Sequence, residues 1–147
     1  MDEFATYSQD EKMKLKSNWI KDAGGNDKMI TGKITAIGEQ AIDVNEKLLI
    51  FFDESATNGL KPYAIIQDVP KAAEITLQKG DEIRFGDMKY TVNHVGNTAL
   101  KGLHEIQHAS FVFDEVPESD SIVNGVYLSP FEVPQLEVGL TITYPGK

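Results

Sequence analysis

Apolar and polar positions begin to alternate at Met29, and the alternation returns in short bursts to the end of the chain. Ile30, Gly32, Ile34 and Ala36 fall two apart, which predicts a first strand ending at Gly38 with those four positions on one face. Ile42 and Val44 lead into a turn at Asn45-Glu46. The run Leu48-Leu49-Ile50-Phe51-Phe52 is apolar at every position and predicts a strand covered on both faces. Residues 53–61, with Ser55, Asn58 and Gly59, read as a loop. A further strand over 63–69 is stopped by Pro70. Ile75 and Leu77 alternate with Thr76 and Gln78, Ile83 and Phe85 repeat the pattern, and Met88 to Val92 follows. Gly80-Asp81 and Gly86-Asp87 are tight-turn signals between these pieces. Ala109 to Phe113, Val126 to Leu128, and Leu140, Ile142 and Tyr144 complete the alternating segments.

Helical spacing occurs twice. Ala99, Leu100 and Leu103 predict a short helix over 97–104. Ser8 and Glu11 have capping-box spacing, and Leu15 and Trp19 lie four apart, so a helix is expected near 9–22. Ala23-Gly24-Gly25-Asn26 would stop it and form a linker. The expected organisation is therefore an N-terminal helical extension and linker over 1–28 and one all-β domain over 29–147. That many short strands with one short helix argues for a small closed or partly open β-barrel.

Composition narrows the functional classes. The chain has 147 residues, 41% of them hydrophobic, enough for one compact domain. There is no cysteine, which removes disulfides, thiolate metal sites and thiol nucleophiles. A formal net charge of −9 opposes binding to nucleic acid or an anionic membrane. The same charge suits simple solubility or docking to a basic partner. No stretch approaches the length of a membrane helix and the N-terminus lacks a secretory signal pattern, so a cytoplasmic protein not itself embedded in membrane is expected.

Candidate chemistry is sparse. His104-Glu105-Ile106-Gln107-His108 matches the H-E-x-x-H pattern, which needs one helix presenting both imidazoles to a zinc ion. Strand-like sequence follows His108 at once, and a third ligand such as Glu132 or Glu137 has no evident reason to lie near the pair. His94 follows Tyr90 and Val92 at strand period and reads as a core or pocket-edge residue. Phosphate-binding glycine loops are absent.

Several segments resemble a known family. They are Ile34-Thr35-Ala36-Ile37-Gly38, Leu48 to Phe52, Ile75-Thr76-Leu77-Gln78-Lys79-Gly80-Asp81, and Phe85-Gly86. The most specific is Tyr90-Thr91-Val92-Asn93-His94-Val95-Gly96, followed by Ala99, Leu103, Ile106, His108 and Phe113, with Leu136 to Tyr144 at the end. Together they resemble the glucitol/sorbitol-specific enzyme IIA family of bacterial sugar phosphotransferase systems. The resemblance implies a cytoplasmic subunit that takes a phosphoryl group from HPr onto a histidine and passes it to a membrane permease, without a cofactor. In that family the histidine lies on the strand corresponding to 63–69. Here the strand reads Ile65-Ile66-Gln67-Asp68-Val69, and Gln67 stands at the implied acceptor position, with Ile66 as the other choice. A glutamine amide nitrogen has its lone pair drawn into the carbonyl and is not a nucleophile. His108 matches a family histidine and is expected, with Asp68 and Ile66, as a pocket or support residue. The expected function is thus a IIA-like component whose relay lacks its acceptor, with a non-catalytic docking or regulatory relative and a zinc hydrolase as the competing readings.

Overall fold

The computed structural model describes residues 28–43 and 45–147; the expected helix near 9–22 and its linker lie outside the described residues. Eight strands close into a barrel. They are β1 (Lys28–Ile37), β2 (Leu48–Phe52), β3 (Ile65–Asp68), β4 (Glu82–Phe85), β5 (Met88–Val95), β6 (Ala109–Val112), β7 (Gly125–Ser129) and β8 (Thr141–Gly146). One helix, α1 (Ala99–Ile106), joins β5 to β6. Around the barrel the order is β1-β3-β2-β6-β7-β5-β4-β8, and β8 returns to pair with β1 from Lys28↔Gly146 to Lys33↔Thr141. Closure leaves no edge strand to be satisfied elsewhere. Two neighbouring pairs, β2·β3 and β6·β7, are parallel, so long connections must carry the chain back between them. The loop over 53–64 and the acidic loop over 113–124 are those connections.

Alternation places one side chain in two inside. Ile30 and Ile34, Leu49 and Phe51, Ile83 and Phe85, Val126 and Leu128, and Ile142 and Tyr144 all belong to one core. Phe85 is central to it, meeting Phe111, Phe113 and Tyr90 edge-on with centroids 5.5–6.0 Å apart. Such edge contacts add to the area term, which is about 25 cal/mol per Å² of apolar surface removed from water.

Four elements depart from the sequence expectation. Ala36 is exposed, because a bulge between Ile34 and Ala36 inserts a residue and turns the end of β1 over. In β2 only Leu49 and Phe51 are fully buried; Leu48, Ile50 and Phe52 are half-covered, because the outer face of the barrel carries loops rather than a second sheet. Residues 75–78 form no strand. A 3-10 turn at Ala72–Glu74 precedes them, and Ile75 makes a single bridge to Gly146. The strand expected over 63–69 is shortened at its start by a 3-10 turn, Lys61–Tyr63, containing Pro62.

Candidate functional site

Gln67 and Ser110 are the buried polar side chains among the described residues, and Gln67 is the more deeply placed at 1% exposure. Its side chain shares the inward face of β3 with Ile65. A polar group there must find partners inside the protein or lose its hydration free energy without return. Gln67 finds two: its Nε2 donates to the main-chain oxygen of Gln107 at 3.0 Å, and its Oε1 accepts from the Tyr144 hydroxyl at 2.7 Å. Burial pushes the Tyr144 phenol well above its usual range, and the bond to Gln67 offsets only part of that. Gln107 returns the contact to β3, its Oε1 accepting from the Val69 amide at 2.9 Å.

Local sequence explains why Gln107 is there. It caps α1 in the left-handed region, φ 54°, and the next amide, of His108, turns back to the Gly102 oxygen at 2.9 Å. The helix therefore ends between the two histidines of the H-E-x-x-H pattern, so the single helical face on which a zinc site depends does not exist. Each ring also has its own carbonyl: His104 Nε2 donates to Ile75 O at 2.7 Å, and His108 Nδ1 donates to Phe51 O at 3.0 Å. Among the described residues no group of three His, Asp or Glu gathers as a metal cluster.

The parallel pairing of β2 with β3 sets Asp53 beside the end of β3, and the Asp53 amide donates to Ile106 O at 3.0 Å. An open cleft of about 400 Å³ results, lined by Asp53, Glu54, Ser55, Gln67, Asp68 and Gln107. Asp53 Oδ1 accepts from both the amide and the hydroxyl of Ser55. Three carboxylates and no cation line this cleft, and the carboxyl end of α1 closes one side. Both features oppose an anionic group and favour a basic one.

Of the residues expected from sequence, Gln67 and Asp68 line the cleft. Ile66 does not: it faces the outer side and packs with Ala56, Ala64 and Phe52. His108 is not in the lining either; it stacks on Phe52 with centroids 3.9 Å apart, and its Nε2 meets the Asn124 amide at 2.8 Å. His94 is half-buried against the edge of Tyr127, 5.7 Å away. Sequence reasoning missed Gln107 and Tyr144. A glutamine directly after a helix gives no cue to left-handed geometry, although a tyrosine in an otherwise apolar alternation does signal a hydroxyl in need of a partner.

The fold and cleft define a small closed barrel with a shallow acidic face. Residues 29–143 match the family described as PTS system glucitol/sorbitol-specific IIA component. The chain is 33% identical, over 88 residues, to the PTS system glucitol/sorbitol-specific EIIA component of Escherichia coli, covering 59% of this chain and 71% of the relative. The component of the same description from Shigella flexneri is 32% identical over the same span. A crystal structure of a PTS system IIA component from Enterococcus faecalis superposes with a TM-score of 0.77 at 41% identity, covering 79% of this chain and 99% of that one. The chain belongs to the glucitol/sorbitol-specific IIA component family of the sugar phosphotransferase system.

Proposed function

We propose that this chain is a cytoplasmic IIA-type subunit that docks HPr and a hexitol permease domain, and that no phosphoryl group passes through position 67. The observation that carries the reading is Gln67 itself: a buried amide, held at both ends, at the position where the family resemblance implies an acceptor histidine. Its nitrogen is a donor without a usable lone pair. The acidic cleft beside it supports docking of a basic surface rather than capture of free phosphate. Among the described residues no helix is long and apolar enough to cross a membrane, in keeping with a subunit that meets its permease by association.

The test is a titration of isotope-labelled protein with unphosphorylated HPr. Amide shifts at Asp53, Glu54, Asp68 and Gln107, weakening as salt is raised, are the expected result. No shifts at millimolar HPr would remove the docking reading. A phosphoryl adduct recovered on a peptide containing Gln67 and no histidine would remove the claim about position 67.

A further inference from the structure

We propose that His108 is a phosphoryl acceptor, through Nε2. The inference deepens the docking reading and rests on it for the identity of the donor, while its own evidence is the geometry of the ring. The chain has three histidines and no cysteine, so stable transfer onto nitrogen has three addresses, all among the described residues. His104 is tied by Nε2 to Ile75 O and His94 lies against Tyr127 on the β5–β7 pair, and neither has a chain neighbour in the lining of the cleft.

His108 is held differently. A carbonyl oxygen only accepts, so the bond from Nδ1 to Phe51 O fixes the ring proton on Nδ1. Nε2 is then left with its lone pair, and the group it meets is the Asn124 Nδ2, a donor, which also reaches Ser110 Oγ at 3.3 Å. The imidazole is therefore neutral, oriented, and nucleophilic at one nitrogen. Phe52 stacks beneath the ring and prevents it from turning. The ring is half-buried rather than enclosed. Its chain neighbour Gln107 and the residue after Phe52, Asp53, both line the docking cleft, so His108 stands at the margin of the docking surface, outside the three-carboxylate lining.

In the transfer, Nε2 attacks the phosphorus of the phosphohistidine on the carrier protein. The new N–P bond forms as the carrier's N–P bond breaks. The carrier ring bears a proton on its other nitrogen, as His108 does on Nδ1, so it keeps that electron pair and leaves as a neutral imidazole with no proton taken up. His108 keeps its Nδ1 proton on Phe51 O throughout, and the Asn124 amide turns from the lone pair to a phosphoryl oxygen, where a donor stabilises the charge.

The test incubates the full chain with phosphoenolpyruvate, enzyme I and HPr, and in parallel with phosphoramidate as a small donor. The expected result is a single acid-labile phosphoryl adduct mapping to His108, abolished by His108→Gln and kept by His94→Gln. Asn124→Asp, which sets a carboxylate beside Nε2, is expected to slow the reaction by roughly tenfold or more. Nitrogen-15 spectra of the unmodified protein give a reading independent of any variant's folding, and a neutral ring protonated on Nδ1 is expected. An adduct on His94 or His104, no adduct with either donor, or an Nε2-protonated ring each overturns the proposal. HPr binding without an adduct would sink this inference alone. An adduct from phosphoramidate without HPr binding would sink the docking reading alone.

Discussion

A single hydroxyl decides how a glutamine sits inside an apolar barrel. Tyr144 is fully buried, and its donation to Gln67 Oε1 is what makes that amide tolerable. Tyr144→Phe keeps the ring and leaves Oε1 without its partner, so a loss of about 1–3 kcal/mol is expected in urea unfolding. Gln67→Leu in the same background should recover part of that loss, because the buried Oε1 is removed, while the Gln107 oxygen that loses its donor lies at the open cleft. The tyrosine also sets an alkaline limit. Its folded-state pKa is raised, so the unfolded chain loses the phenol proton first. Stability is then fully present below the ordinary phenol value near 10 and falls as the pH rises above it, by roughly 1.4 kcal/mol per pH unit. Unfolding curves at pH 8 and pH 11 should show that fall in the parent. The slope should be shallower in Tyr144→Phe, where burial of the Tyr90 phenol, a smaller effect of the same sign, remains.

At the scale of elements, α1 and its cap carry the cleft. Gly102 looks like a defect in a helix, since alanine is better there by about 1 kcal/mol in isolation. A Cβ at Gly102 would stand 2.5 Å from the His108 carbonyl oxygen, in the turn that returns the chain to β6. Gly102→Ala is therefore expected to lower the unfolding midpoint rather than raise it, and to shift the His108 and Gln107 resonances. Much of this level was legible in advance. The helix was expected over 97–104 and forms at Ala99–Ile106, and the period of two located the inward faces of β4, β5 and β8. Ala36 was misplaced because a bulge is set by the register with β3, which no local pattern records. Ile75 and Leu77 alternate as strands do, yet only Ile75 meets a partner, because β8 continues past β4 for that one rung. Gln67 and Asp68 could be singled out, but the cleft could not, since it arises where β3, the loop after β2 and the end of α1 converge.

For the whole molecule, closure joins the first and last stretches of the described residues. Lys28 pairs with Gly146, and Lys28 also salt-bridges Glu74 beside the same rungs. Contacts of such separation must be reached against loop-closure entropy, which places folding in the millisecond-to-second range expected of β-barrels. Stopped-flow refolding should show that timescale, with unfolding cooperative across the barrel. The adjacency of Lys28 and Gly146 has a further consequence. A short glycine-serine bridge from Lys147 to Lys28, with the chain reopened at the exposed turn around Gly80, would give a permuted protein that retains the β1–β8 rungs and the acidic cleft. Its most distant pairing would have become its most local one, so it should find the native state faster than the parent while binding the same surface.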